Sequence, residues 1–113
     1  MGNTQHYAEC IEECLKCAQA CNQCYDACLN EEDVAMMRDC IRTDRECADL
    51  CFFAAQAMST NSAYAADICR ICAEACEACG RECEKHAHAH CKRCAEACFR
   101  CAEACRRMVA QAV

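Results

Sequence analysis

The chain has 113 residues, a net charge of −6 and 27% charged residues. The length supports one domain, and the acidic balance argues against a nucleic-acid partner, because neutralising phosphates requires a basic surface. No stretch approaches the roughly 18 apolar residues of a membrane-spanning helix, so no membrane partner is expected.

The beginning of the sequence shows no targeting segment, since no basic region is followed by an apolar one. We therefore expect a cytoplasmic protein. In that compartment thiols stay reduced, and nineteen cysteines indicate metal binding or redox chemistry rather than disulfides.

Good helix formers dominate the chain, which has no proline and only two glycines. The pattern predicts helices over about residues 4–29, 34–58, 63–85 and 91–109. Short connections place consecutive helices antiparallel. The predicted fold class is therefore all-α, an antiparallel up-down-up-down four-helix bundle with a Cys-lined core, and residues 1–113 are expected to form a single metal-binding domain.

Within these helices the cysteines recur at alternating steps of three and four. A mean step of 3.5 residues is the spacing of a buried helix seam. The first, third and fourth helices carry Cys10, Cys14, Cys17, Cys21, Cys24, Cys28, Cys69, Cys72, Cys76, Cys79, Cys83, Cys91, Cys94, Cys98, Cys101 and Cys105. Thiols thus occupy positions where leucine and isoleucine usually form a core.

The second helix has a thinner seam. Continued at the same alternation, it reads Met37, Cys40, Asp44, Cys47, Cys51, Ala54 and Met58. Asp44 is therefore expected in the core, where it could hydrogen-bond thiols, pair with a base or bind an ion.

Three histidines, His86, His88 and His90, lie where the third helix meets the fourth. In an antiparallel bundle this end also holds the start of the second helix, with Met36 and Met37. Imidazole and thioether groups can both bind Cu(I), so we expect an entrance for ions at this end.

The opposite end is expected to be closed by apolar side chains. The candidates are Tyr7, Phe52, Phe53, Ala54, Met58, Tyr64 and Met108.

Cysteines four residues apart lie one above the other on a helix face and can turn towards a common point. Such pairs suit a soft ion with two ligands, and thiolates select Cu(I). The pairs are 10/14, 17/21, 24/28, 47/51, 72/76, 79/83, 94/98 and 101/105. Since each Cu(I) replaces one proton without adding charge to the core, roughly one ion per cysteine could be held.

Two other metal-binding functions stay open: a zinc- or cadmium-sequestering protein of metallothionein type, and an iron–sulfur electron carrier. Metallothioneins are loop-like, whereas this chain has helical periodicity. The spacing Cys69-x2-Cys72-x3-Cys76-x2-Cys79 differs from that of ferredoxins. No enzymatic activity is predicted.

The four Cys-lined helices, the repeated Cys-x-x-x-Cys pairs, the stretch from Cys40 to Cys51 and the His-x-His-x-His-Cys91 turn resemble the bacterial copper storage proteins, in their cytosolic branch. The resemblance covers essentially the whole chain. It implies a four-helix bundle that assembles as a homotetramer, with many Cu(I) ions held mostly by cysteine pairs and with His and Met near the open end. The copper donor or acceptor cannot be identified from it.

Overall fold

The computed structural model describes the backbone of residues 4–111 and the side chains of residues 7–111. Its helices are α1 (Thr4–Leu29), a short 3-10 helix (Val34–Met37), α2 (Arg38–Ser59), α3 (Ala65–Glu84) and α4 (Ala89–Gln111). No strand occurs over these residues. The predicted all-α fold class is therefore confirmed.

The helices form an antiparallel bundle in which α1 packs against α2 and α4, and α3 packs against α2 and α4. The rod measures 51 × 19 × 18 Å. The α1–α2 and α3–α4 connections therefore share one end, and the α2–α3 connection lies at the other. Over residues 4–111, none of the helices combines the length and apolar character needed to cross a membrane.

The connection between α2 and α3 is longer than predicted, so α3 begins at Ala65 rather than near residue 63. Asn61 has φ 59°, a left-handed conformation that asparagine tolerates and that ends a helix. Ser62 Oγ then accepts a hydrogen bond from the Tyr64 N–H at 3.0 Å. This local turn, built from the polar residues Asn61 and Ser62, delays the start of α3 by two residues.

The start of α4 also differs from the prediction. The His88 carbonyl accepts hydrogen bonds from the N–H groups of Cys91 and Lys92 at 3.0 and 3.1 Å. This turn draws Ala89 and His90 into the helix. As a result, His90 projects from the first turn of α4 and not from a connecting loop.

Gly80 allows α3 and α4 to approach closely. A Cβ atom at this position would lie 2.8 Å from the ring of Phe99 on α4, which is shorter than a van der Waals contact. The absent side chain therefore leaves room for a partly buried aromatic ring beside the thiol core.

The end of the bundle opposite the histidines is closed by fewer apolar residues than predicted. Ala54, Met58 and Met108 are buried, and Tyr7 packs against the core. Other candidates were wrong, because Phe52 and Phe53 are about half exposed and Tyr64 is 70% exposed. The two phenylalanines follow the seam residue Cys51 by one and two positions, which turns them away from the bundle axis.

Candidate metal centre

The core of the bundle is a column of sulfur. All nineteen cysteines are buried, and none forms a disulfide. Cys10 is 4% exposed and Cys24 is 1% exposed, while the other cysteine side chains have no exposed surface. The predicted seams therefore point inward together along the length of the rod.

The shortest distances between sulfur atoms join cysteines on different helices. Predicted pairs four residues apart include Cys24–Cys28 at 3.8 Å and Cys47–Cys51 at 3.9 Å. Across helices, Cys47 Sγ lies 3.5 Å from Cys76 Sγ. Cys47 consequently has sulfur neighbours both on its own helix and on α3, and the spacing within one helix does not reveal the second kind.

Groups of four thiols follow one another along the axis, with the sulfur atoms of each group within 4.8 Å of one another. Adjacent groups share members: Cys17 belongs to a group with Cys51, Cys76 and Cys101, and also to one with Cys21, Cys47 and Cys98. Further groups are Cys14/Cys72/Cys101/Cys105, Cys21/Cys79/Cys94/Cys98 and Cys24/Cys28/Cys40/Cys91. The column therefore offers overlapping sites in which one thiolate could bridge two ions.

Asp44 lies in this column with no exposed surface. Its Oδ1 accepts hydrogen bonds from the thiols of Cys79 and Cys94, each at 3.3 Å. Burial, together with the charges that Cys94 and Cys79 would carry, raises the pKa of Asp44 far above its usual range. The raised pKa favours the protonated, neutral form of Asp44 in the metal-free protein.

Among the histidines of residues 7–111, His90 is the one that reaches the thiols. Its Nδ1 lies 3.4 Å from Cys24 Sγ and 3.5 Å from Cys91 Sγ. On the other side of the ring, Nε2 donates a hydrogen bond to Glu31 Oε2 at 2.9 Å. This partner fixes the tautomer in which Nδ1 is free to accept a proton or bind a metal.

Glu31 was missed by the sequence reasoning. It belongs to the connection after α1 and is 59 positions from its partner His90, so no local spacing links the two. The sequence does contain one signal for this contact. The acidic run Glu31-Glu32-Asp33 lies in a turn that was expected at the same end of the bundle as three histidines.

The other two histidines at this end of the bundle are arranged unequally. His88 stacks on His90 with ring centroids 5.2 Å apart, and its Nδ1 lies 3.6 Å from Glu31 Oε2. His86 instead donates from Nε2 to Glu82 Oε2 at 3.1 Å. His86 and Glu82 are one helical turn apart, so this pair forms locally and is separate from the pair at Glu31.

The two methionines at this end also differ. Met37 is fully buried and packs in the core, whereas Met36 is 70% exposed. The difference follows from the 3-10 turn, in which adjacent residues point about 120° apart. Only Met37 continues the seam of α2.

Burial raises the pKa of the Cys28 and Cys91 thiols, because both would carry charge away from water. Cys24 behaves differently: hydrogen bonds from the Cys40 and Cys83 thiols lower its pKa to about 6. Burial tends to lower the pKa of His90, but its contacts with Cys24 and Glu31 outweigh this effect and raise it. Within this group Cys24 is therefore the thiol that loses its proton first.

Comparison with known proteins identifies the family to which this sulfur column belongs. The family model described as copper storage protein matches residues 3–110. The uncharacterized cysteine-rich protein YhjQ of Bacillus subtilis (strain 168) is 53% identical over 70 residues, which cover 61% of this chain. The chain matches 65% of the length of that curated relative.

Two solved structures are similar over nearly the whole chain. The Cu(I)-bound copper storage protein BsCsp3 of Bacillus subtilis is 52% identical with a TM-score of 0.89, covering 91% of this chain and 97% of that one. The copper storage protein Ccsp of Streptomyces lividans, loaded with 10 copper equivalents, is 47% identical with a TM-score of 0.90, covering 94% of this chain and 85% of that one. With its buried thiol column and these matches, the chain belongs to the copper storage protein family.

Proposed function

We propose that this protein stores and sequesters multiple Cu(I) ions on the thiolates that line its core. The observation that carries the proposal is the column of nineteen buried free thiols. Similar proteins are described as Cu(I)-bound and as loaded with 10 copper equivalents. The ions are the stored cargo, and the proposed role of the whole chain is that of one non-enzymatic metal-binding domain.

The charge balance favours a monovalent ion. A buried charge is costly unless it is compensated, so each proton that leaves the column must be replaced. One Cu(I) per thiolate keeps the core neutral when thiolates bridge neighbouring ions. One divalent zinc ion per thiolate would leave a large excess of positive charge in the core. Four thiolates around each zinc ion would instead leave an excess of negative charge.

All nineteen cysteines are proposed ligands, with Asp44 and His90 as additional ones in contact with thiols. The polar end that holds His88, His90 and Met37 is the proposed entrance for ions. His86 and Met36 were also candidate ligands, but their positions give them weaker support, since His86 binds Glu82 and Met36 points into solvent.

A cytosolic location and a homotetrameric assembly are also proposed. The Streptomyces lividans relative is described as cytosolic. Leu15, Phe52, Phe53 and Ile71 are each 45–52% exposed on the outer faces of the helices. Large apolar side chains at the surface favour an interface with another chain.

Titration of reduced, metal-free protein with Cu(I) against a competing chelator tests the storage function. We expect roughly one ion per cysteine at saturation, followed through the ultraviolet absorption of thiolate–copper bonds. Binding of one or two Cu(I) ions with a preference for zinc would overturn the proposal. A visible chromophore in the purified protein would instead support an iron–sulfur cluster.

A further inference from the structure

A groove on the side of the bundle reaches the thiol column between α1 and α4. It has a volume of about 200 Å³ and is lined by Lys16, Gln19 and Gln23 of α1, by His90 and Arg93 of α4, and by Cys24. This volume is below the roughly 300–1,000 Å³ of pockets that hold drug-sized ligands. A molecule of amino-acid size, or one end of a slightly larger molecule, would fill it.

Cys24 connects the groove with the metal-binding core. Its side chain retains 1% exposure, whereas Cys28, Cys40 and Cys91 are completely buried. Cys24 Sγ lies 3.8 Å from Cys28 Sγ and 3.9 Å from the sulfur atoms of Cys40 and Cys91. An ion delivered to Cys24 from the groove would therefore already be beside three further thiols.

The rim of the groove suits an anion. Arg93 has no carboxylate within ion-pair distance over residues 7–111, and Lys16 has only an exposed contact of 3.7 Å with Glu12, which stabilises little. Gln19 and Gln23 add amide N–H donors. The nearest acid on the other side of His90, Glu31, is already engaged with that imidazole.

We propose that this groove binds a small thiol compound bearing carboxylate groups, which brings Cu(I) as its thiolate complex to Cys24. The inference rests on the proposed storage function and adds the chemical class of the donor. Arg and Lys bind carboxylates through charge-assisted hydrogen bonds, and thiolates are ligands that Cu(I) selects. The carboxylates would lie at Lys16 and Arg93, with the copper at the Cys24 end.

The transfer is a ligand exchange without oxidation or reduction. A bond forms between Cys24 Sγ and Cu(I), and a bond between Cu(I) and one donor thiolate breaks. The departing donor thiolate takes up one proton, either the one that Cys24 gives up or one that Cys24 has already released to water, and leaves as a thiol. His90 Nδ1, 3.4 Å from Cys24 Sγ, is placed to relay that proton. Cys28 then replaces the other donor thiolate bound to the same Cu(I) ion by the same steps, which completes delivery.

Loading rates from matched donors test the role of the two cations. The donors are Cu(I) complexes of mercaptosuccinate, which has two carboxylates, and of thioglycerol, which has two hydroxyls instead. We expect K16Q/R93Q to slow loading from the mercaptosuccinate complex by about fivefold or more at low salt, with the thioglycerol rate unchanged. The control R70Q/R100Q makes the same change in net charge away from the groove and should keep both wild-type rates.

A second pair of variants tests the groove by filling it. Q23W places an indole in the groove, and Q56W places one on an exposed position of α2. We expect Q23W to slow loading from both donors and Q56W to slow neither. If Q23W loads like wild type, or if K16Q/R93Q slows both donors equally, the groove is not the site of delivery.

The final Cu(I) capacity, measured against a chelator, separates this inference from the storage function. Every variant should reach the wild-type capacity, because each retains all the thiols. If the wild-type protein itself fails to bind multiple Cu(I) ions, the storage function is wrong. If capacity is normal and the rates do not respond to the groove variants, only the docking site is wrong.

Discussion

His90 and Glu31 form a hydrogen bond of 2.9 Å that ties the first turn of α4 to the connection after α1. Because the carboxylate accepts the proton on Nε2, the opposite ring nitrogen faces the sulfur atoms of Cys24 and Cys91. The pair thus orients the imidazole and fixes its tautomer before any ion arrives.

Removal of this carboxylate should disturb His90 while leaving the thiols intact. Loss of a group that orients a metal-binding histidine typically lowers metal affinity or activity by about 10- to 100-fold. We expect E31A to slow Cu(I) loading by about tenfold and to shift His90 towards a mixture of tautomers, measured by ¹⁵N NMR. E31Q should recover much of the rate, because its amide oxygen can still accept the hydrogen bond.

The matched control is E32A, which removes a neighbouring exposed acid. Its loading rate and His90 tautomer should equal those of the wild-type protein. Identical behaviour of E31A and E32A would show that Glu31 does not position His90.

Asp44 should tolerate conversion to an amide in the metal-free protein. Its raised pKa makes the folded side chain a neutral acid, which asparagine matches in shape. We expect D44N to change the free energy of unfolding by less than about 1 kcal/mol, and D44A to lower it by about 2 kcal/mol because a cavity and unpartnered thiols remain. Urea unfolding of the reduced protein measures both, with the exposed D49N variant as a control. A loss of several kcal/mol in D44N would indicate that the folded protein holds Asp44 ionised.

Met58 and Met36 should contribute differently to stability. Met58 is fully buried at the closed end, while Met36 is 70% exposed. We expect M58A to lower the free energy of unfolding by about 2–4 kcal/mol and M36A by less than about 0.5 kcal/mol. Similar losses in the two variants, measured by urea unfolding of metal-free protein, would contradict the assignment of Met58 to the core.

Gly80 and Phe99 should be energetically coupled. Alanine is favoured over glycine in a helix by about 1 kcal/mol, but in the wild-type background its Cβ would meet the Phe99 ring. We expect G80A to stabilise an F99A background by about 1 kcal/mol and to lose or reverse that gain when Phe99 is present. Equal effects in both backgrounds would show that the ring moves aside without cost. Unfolding free energies of the four proteins in this cycle provide the test.

The seam periodicity predicted which side chains enter the core, including Asp44 within α2. Periodicity reports the face of each helix, so this part depends on local sequence alone. It does not report how helices are rotated against one another, which explains why the close contact between Cys47 and Cys76 was not predicted. Glu31 was missed for the same reason, since its role depends on a turn meeting another helix far along the chain.

Residues at the ends of the elements were less predictable. The exposure of Phe52 and Phe53 follows from the helix phase, but their apolar character suggested burial. The separation of His86 from His90 depends on where α4 begins, and a shift of two residues placed His90 within the helix.

The contact between Cys47 and Cys76 determines how this protein would respond to an oxidant. Their sulfur atoms, 3.5 Å apart, would need to approach by about 1.5 Å to reach the length of a disulfide. Such a bond would remove two electrons and two protons and would covalently join α2 to α3. Because it takes away two thiols at once, oxidative damage to this column would reduce its holding capacity in steps of two, while making the damaged bundle harder to unfold.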